Sequence, residues 1–169
     1  MQIQPETPED HDAIFMVTQA AFKDHLHSQQ TEGYIINALR EAGALTLSLV
    51  ARVDGRVAGH VAFSPVQISD GAVDWYGLGP IAVLPGLQGR GIGGALIRAG
   101  LDRLKALGAA GCVVLGDPAY YRRFGFEPTP ALTYPGVPPE YFMAQAFTRP
   151  AQGQVAYHQG FYATASVDR

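Results

Sequence analysis

The sequence predicts an α/β protein with a mixed sheet, in which an antiparallel meander is followed by one βαβ unit. Two observations carry this prediction. Between residues 45 and 83 the hydrophobic pattern repeats every second residue, as it does in half-buried strands. After Pro85 the spacing becomes helical, and the apolar run at residues 112–115 follows, as expected of a strand, a crossover helix and a parallel strand.

Length and composition limit the number of domains and the kinds of partner that this chain can have. At 169 residues the chain is long enough for one real core but short for two, so we expect a single domain over residues 1–169. The net charge is -3 and no stretch gathers Lys and Arg, which argues against a nucleic-acid partner. No signal-peptide pattern or membrane-spanning run occurs, so we expect a cytoplasmic protein without a membrane partner. A homodimer is left open.

Two helices are predicted before the meander. Thr7-Pro8-Glu9-Asp10 offers an N-cap, a proline at the first helical position and an acid at the third, and the helix extends to about Lys23. Ser28 is predicted to cap the second helix, which ends at Gly43.

Three strands are predicted next, at residues 45–53, 57–63 and 73–83. Asp54-Gly55 is a hairpin signal between the first two, and Asp70-Gly71 precedes the third. These signals predict an antiparallel meander.

A long helix is predicted to begin in the glycine-rich turn after Pro85 and to stop at Gly108. Its buried face is predicted to contain Ile92, Leu96, Gly100, Leu104 and Leu107. Asp117-Pro118 is predicted to cap a short helix that ends at Gly125. Strand-like stretches at 141–147 and 154–157 are expected to complete the sheet and wall the substrate side.

The glycine-rich turn is the main candidate binding site, and it reads Gln88-Gly89-Arg90-Gly91-Ile92-Gly93-Gly94. The first N–H groups of the helix that follows have no intrahelical acceptor. Without Cβ atoms a pyrophosphate can approach the backbone closely, and the helix dipole favours its charge. Each glycine would weaken a helix by ~1 kcal/mol relative to alanine, which favours a binding role over a merely flexible turn. Arg90 either adds charge to this site or points into solvent.

These residues resemble the GCN5-related N-acetyltransferases, the GNAT family. Its signature is Gln or Arg, two residues, Gly, one residue, then Gly or Ala, which Gln88, Gly91 and Gly93 match. Residues 79–85 are similar to the strand and turn that precede this loop in the family. Residues 120–126 resemble its later segment of aromatic, Tyr, three residues, Gly and Phe. The chain is most similar to bacterial predicted acetyltransferases with a Gly-Asp-Pro-x-Tyr-Tyr segment, and the resemblance covers most of the chain through Phe126.

The resemblance implies a GNAT-like acyl-CoA N-acyltransferase fold and transfer of an acetyl group from acetyl-CoA to a primary amine of a small molecule or peptide. The backbone of Ile81, Ala82 and Val83 would pair with the pantetheine arm, and residues 88–94 would hold the pyrophosphate. Tyr121 would be the general acid, and no metal is expected.

Tyrosine suits direct transfer. A phenol with a reference pKa of ~10 stays protonated at neutral pH, so it can donate to the anionic tetrahedral intermediate and share its proton with the departing thiolate. From composition alone Tyr121 would be interpreted as an aromatic residue that packs in the core. The resemblance favours the general acid instead. Tyr120, in the family's usual Phe position, is interpreted as a wall residue. Arg122 and Arg123 are either solvated or close to the nucleotide phosphate.

Several residues keep more than one interpretation. Asp117 stands where many members carry an Asn that touches the cofactor arm, so it is either a helix N-cap or a ligand contact. Candidates for the general base are Glu32, His60 and Asp74, with a water relay also open. The remaining histidines are expected on the surface without metal-ligand spacing, and they are His11, His25, His27 and His158. Cys112, the only cysteine, is predicted to be inert core.

Two other functions fit parts of the sequence. Residues 89–94 satisfy the dinucleotide pattern G-x-G-x-x-G, with Asp117 as a ribose-binding acid. However, the loop follows an antiparallel meander and no further βαβ units come after it. A non-catalytic acyl-CoA sensing domain would keep the loop but lose the acid, and Tyr121 argues against it.

Overall fold

The computed structural model describes residues 1–165. The helices are α1 (His11–Phe22), α2 (Glu32–Glu41), α3 (Ile92–Ala106) and α4 (Pro118–Tyr121). The strands are β1 (Gln2–Pro5), β2 (Leu47–Val53), β3 (Arg56–Pro65), β4 (Gln67–Ile68), β5 (Trp75–Val83), β6 (Gly111–Leu115), β7 (Glu127–Pro128), β8 (Leu132–Thr133), β9 (Phe142–Ala146) and β10 (Gly153–Ala156).

The main sheet has the strand order β1-β2-β3-β5-β6-β9-β7. Its strands pair antiparallel except for β5 and β6, which are parallel and joined by α3. The predicted meander and βαβ unit are therefore confirmed. Asp54 and Gly55, at φ 51° and 78°, form the predicted hairpin turn between β2 and β3.

The C-terminal part corrects one prediction. β9 joins the main sheet beside β6, as expected, but β10 does not. It pairs with β4 and β8 in a separate three-stranded sheet. The short strand β1 was not predicted, because its alternating residues are too few to distinguish a strand and include Pro5.

The helix starts also differ from the predictions. Thr7 and Asp10 form the expected reciprocal cap, with the Thr7 N–H donating to the Asp10 carboxylate at 2.9 Å, but they enclose a short 3-10 turn and α1 starts at His11. α2 starts after Thr31, so the Ser28 cap was wrong. The Ser28 hydroxyl instead donates to the Glu32 carboxylate at 2.7 Å.

The two faces of the main sheet are covered by different helices. On one face α3 packs through Leu96, Ile97 and Leu104. Gly100 allows close approach there, because a Cβ would lie 2.2 Å from the Phe63 ring. The predicted stripe ends at Leu104, since Leu107 is 62% exposed at the helix end. On the other face α1 and α2 bury residues that include Ile14 and Ile36. Within residues 1–165 no helix is long and apolar enough to cross a membrane.

The sheet opens between its two parallel strands. β5 pairs with β6 only from Trp75 to Leu78, whereas its opposite edge continues to pair with β3 as far as Val83. Among residues 1–165, the last residues of β5 therefore have a strand partner on one side only. This opening positions the candidate site.

Candidate active site

The open edge of β5 presents unpaired backbone groups. The N–H of Leu84, just after β5, donates to the carbonyl of Ala58 in β3 at 2.9 Å. Because successive residues of a strand alternate in direction, Ala82 also faces β3, and the backbone groups of Ile81 and Val83 face the opening. The Gln88 side-chain amide donates to the Val83 carbonyl at 3.1 Å. The N–H and C=O of Ile81 and the N–H of Val83 are thus presented to an extended ligand, as a neighbouring strand would require.

The start of α3 adds a second group of donors beside this edge. Gly89 and Gly91 have φ of 78° and 84°, in the left-handed region that glycine enters without strain, and Gly91 is the N-cap. The first helical bond runs from the Ala95 N–H to the Gly91 carbonyl at 3.0 Å. The N–H groups of residues 92–94 therefore precede the first intrahelical donor, which is the arrangement that binds phosphates at helix N-termini.

A cleft of about 510 Å³ joins the strand edge to the helix start. Nine of the ten residues predicted to bind the cofactor line it, and they are Ile81, Ala82, Val83, Gln88, Gly89, Gly91, Ile92, Gly93 and Gly94. Arg90 is exposed and does not line this cleft. Of the two interpretations of Arg90, this placement favours the solvent-facing one. We call this space the loop cleft.

Two arginines also line the loop cleft, Arg98, which was not predicted, and Arg123, which was left open between solvent and the nucleotide phosphate. Arg98 lies over the Phe124 ring at 4.8 Å, and Arg123 lies over the Tyr120 ring at 5.0 Å. Among residues 1–165 neither guanidinium forms an ion pair with a carboxylate. Their charge is available to an anionic ligand, and guanidinium groups bind phosphates well.

A second cleft, of about 450 Å³, is also lined by the end of β5. It shares Ile81, Ala82, Val83 and Gln88 with the loop cleft. Its other walls include Phe22 and His25 from α1 and the loop after it, and Gly116, Asp117 and Tyr121 from the end of β6 and α4. We call it the α1–α4 cleft. A ligand in the loop cleft and one in the α1–α4 cleft would meet at β5.

Tyr121 lies in the wall of the α1–α4 cleft while its ring belongs to the core, only 9% exposed. The ring packs edge-on against Tyr120 and Phe126, and a Cβ at Gly116 would lie 2.4 Å from it. Burial, with a smaller effect from Tyr120, raises the pKa of the Tyr121 phenol to about 12. Within residues 1–165 its hydroxyl has no hydrogen-bond partner. Tyr121 is therefore a protonated donor that is free to bond to a ligand.

Asp117 holds the N-terminus of α4. Its Oδ1 accepts from the Ala119 N–H at 2.9 Å, so the predicted N-cap is confirmed. Because Asp117 also lines the α1–α4 cleft, the predicted ligand contact is compatible with the cap.

The three predicted candidates for a general base do not line either cleft. Glu32 accepts hydrogen bonds from Ser28 at the start of α2. The Asp74 side chain is 52% exposed near Arg149, just before the opposite end of β5. His60 is fully buried beneath α1 and α2. The histidine that reaches the α1–α4 cleft is His25, which is exposed as the sequence predicted and also lines this cleft.

His60 belongs instead to a buried chain of polar groups. One of its ring nitrogens lies 2.7 Å from the Ser48 hydroxyl, which donates to the Glu6 carboxylate. Glu6 accepts two 2.8 Å bonds from the Arg40 guanidinium. Desolvation lowers the pKa of His60 to about 4, against the opposing effect of Glu6, so His60 is neutral at physiological pH. Its other ring nitrogen is buried without a partner among the described residues.

Two further groups matter for chemistry. Cys112 is fully buried, which confirms its predicted place in the core, and burial raises the pKa of its thiol, which favours an inert residue. Among residues 1–165 no group of three or more His, Cys, Asp or Glu side chains is placed to hold a metal ion.

Comparison with known proteins identifies the family of this chain. The model of the acetyltransferase (GNAT) family matches residues 11–126. Among curated proteins, the uncharacterized N-acetyltransferase YhbS of Escherichia coli strain K12 is 42% identical over 128 residues, which are 75% of this chain and 74% of that protein.

Two solved structures are similar over nearly the whole chain. A GNAT family acetyltransferase from Brucella melitensis, in complex with acetyl-CoA, has a TM-score of 0.85 and 53% identity, with 95% of this chain and 97% of that one covered. YhbS from Escherichia coli, in complex with CoA, has a TM-score of 0.83 and 36% identity, with 99% and 95% covered.

Proposed function

Since this chain belongs to the acetyltransferase (GNAT) family, we propose that it transfers the acetyl group of acetyl-CoA directly to a primary amine of a small molecule or peptide. The predicted acyl-CoA N-acyltransferase fold and the acyltransferase class are confirmed by the same likenesses. One observation carries the finer proposal. The loop cleft and the α1–α4 cleft meet at the open end of β5, and Tyr121 lines the second of them.

The loop cleft suits each part of acetyl-CoA. The pantetheine arm contains amides that would pair with Ile81 and Val83 along the open edge, as a short strand does. The pyrophosphate would receive the N–H groups at the start of α3. The unpaired Arg98 and Arg123 would neutralise further phosphate charge. The acetyl-CoA and CoA complexes of the two similar proteins support this assignment.

The reaction itself needs a hydrogen-bond donor and a proton for the leaving group. As the amine attacks the thioester carbonyl, negative charge develops on its oxygen, and the C–S bond then breaks. Tyr121 carries a free O–H in the wall of the α1–α4 cleft. With its pKa raised to about 12, the phenol would not release a proton alone to a thiolate whose conjugate acid has a pKa of ~8.5. We therefore propose a relay, in which the phenol passes its proton to sulfur while it receives one from the newly acylated nitrogen.

The two alternatives make different predictions. A sensing domain would bind acetyl-CoA without turnover, and a dinucleotide-binding module would bind NAD. Tyr121, with its free hydroxyl, favours catalysis over sensing. The loop between β5 and α3 follows a strand end that pairs antiparallel with β3, whereas a dinucleotide-binding loop follows the first strand of a parallel sheet. This arrangement disfavours the dinucleotide module. The cytoplasmic location, the single domain and the homodimer stay predictions.

The test is incubation with acetyl-CoA and a panel of amines, amino acids, polyamines and peptides with free N-termini. We expect amine-dependent release of CoA thiol, together with a mass increase of one acetyl group on one class of acceptor. Binding of acetyl-CoA without turnover on any acceptor would favour the sensing domain. Binding of NAD but not of CoA would overturn the proposal.

A further inference from the structure

The α1–α4 cleft contains an imidazole that the proposed reaction has not yet used. His25 comes from the loop between α1 and α2, and it lines the same cleft as the Tyr121 phenol. The cleft is otherwise mostly apolar, with walls that include Phe22, Leu78 and Pro80. We propose that His25 is the general base that takes a proton from the ammonium form of the acceptor before the amine attacks. This inference rests on the proposed function.

An acceptor amine needs such a base. An alkylamine with a pKa like that of lysine, ~10.4, is neutral in fewer than about one molecule in a thousand at pH 7. Only the neutral form has the lone pair that attacks the thioester. A neutral imidazole carries a lone pair that accepts a proton, and histidine is the side chain that most often serves as a general base. A base inside the cleft would make this deprotonation part of the bound reaction.

The surroundings of His25 leave its ring available. The one hydrogen bond to it in the described chain is long, 3.4 Å from the His27 N–H to Nδ1, and too weak to fix one tautomer. The Phe22 ring lies 5.8 Å and the His27 ring 6.3 Å from the His25 ring, and His25 is exposed together with Lys23 and Asp24 of the same loop. The titratable groups that share the cleft with His25 are Asp117 and Tyr121.

Neither of those two groups replaces His25 as the base. One oxygen of Asp117 already accepts the Ala119 N–H as the cap of α4. Tyr121 is a protonated phenol at neutral pH, since burial raises its pKa to about 12. Glu32, His60 and Asp74 line neither cleft. His25 is thus the base that the cleft itself supplies.

Every proton in the complete reaction then has a donor and an acceptor. His25 takes the first proton from the ammonium and later gives it to solvent. The neutral amine forms the C–N bond, and collapse of the intermediate breaks the C–S bond. The sulfur receives the proton of Tyr121, and the phenol recovers one from the acylated nitrogen. The products are the amide, CoA thiol and one released proton.

The test is the pH dependence of kcat/KM for His25→Asn, measured with an alkylamine acceptor found in the panel. We expect a loss of about 10²-fold at pH 7, the size typical of a positioned base. The loss should shrink as the pH rises toward the pKa of the acceptor, because the free amine then needs no base. The matched control is His27→Asn, which removes the neighbouring exposed imidazole and should follow the wild-type profile.

The outcomes are distinct from those for the proposed function. If the wild type transfers no acetyl group to any amine, the proposed function fails together with the role of His25. If the wild type is active and His25→Asn shows the wild-type pH profile, the assignment of His25 alone is overturned. A loss that is equal at every pH would also overturn it, since it would show positioning without proton transfer.

Discussion

The buried imidazole of His60 makes the stability of the fold depend on pH in a defined window. Desolvation holds the pKa of His60 at about 4 in the folded protein, whereas a histidine in the unfolded chain has a pKa of ~6.5. Below pH ~6.5 the unfolded chain therefore binds a proton that the folded protein does not. Stability is complete above this pH, falls progressively toward pH 4 and levels off below it. Integration of the linkage gives a loss of about 2 kcal/mol between pH 7.5 and pH 5.

The perturbation that isolates this effect is His60→Gln. A glutamine can keep the hydrogen bond to the Ser48 hydroxyl, 2.7 Å from the imidazole, and it does not titrate. Hydrogen bonds and ion pairs of the Glu6 and Asp10 carboxylates outweigh burial and lower their pKa values, so their protonation costs stability mainly below pH 5. The histidine window is therefore separate from the carboxylate window.

The assay is urea unfolding followed by circular dichroism at pH 7.5, 6 and 5. Between the first and last pH the wild type should lose about 2 kcal/mol more than His60→Gln does. The variant itself is expected to be less stable at pH 7.5, and only the difference in slope is the test. If the two proteins lose equal stability, His60 is charged inside the fold and the reasoning from its burial is refuted.

Three further predictions follow from individual residues. Gly100→Ala should lower the free energy of unfolding by about 1–2 kcal/mol, because a Cβ would lie 2.2 Å from Phe63 and overpacking outweighs the gain in helix propensity. Thermal unfolding measures this, with Gly86→Ala, which meets no atom within 4 Å, as the unchanged control. Gly91→Ala, at φ 84°, should cost about 1–2 kcal/mol of stability, because alanine is strained in this conformation. It should also weaken acetyl-CoA binding at least tenfold in calorimetry, and an unchanged affinity would contradict phosphate binding at the start of α3. Cys112 should react with a thiol reagent only in denaturant, since burial raises its pKa, and rapid reaction of the native protein would show that the core is open.

The sequence predicts the part of the fold whose signals are local. Alternation in β2, β3 and β5 and the Asp54-Gly55 turn depend on neighbouring residues, and the structure has the predicted meander. The alternation in β1 is too short to predict a strand, and its four residues are held by pairing with β2, 44 to 50 positions away along the chain. β10 carries an alternating pattern, but no local pattern says which sheet a strand will join.

The candidate site follows the same division. The glycines of the loop could be predicted as a phosphate-binding site from the sequence, because they are clustered at a helix start. There Gly89 and Gly91 adopt φ of 78° and 84°, which only glycine does without strain. Arg98 and His25 carry no local signal, and the sequence left Arg123 open between solvent and the nucleotide phosphate. All three line the clefts because α3, α4 and the loop after α1 converge on β5, and this convergence is a tertiary property. A histidine in a polar loop would be found from sequence only through its distance to Tyr121 in the folded chain.

The role of Tyr121 is the central claim, and the most direct measurement is the kcat of Tyr121→Phe beside its dissociation constant for acetyl-CoA. Phenylalanine keeps the packed ring and removes only the hydroxyl, so the variant should fold, which thermal unfolding checks. We expect kcat to fall about 10²-fold while acetyl-CoA affinity is unchanged, and Tyr162→Phe, a phenol that is 81% exposed, should behave as the wild type. An unchanged kcat with the true acceptor would contradict the account.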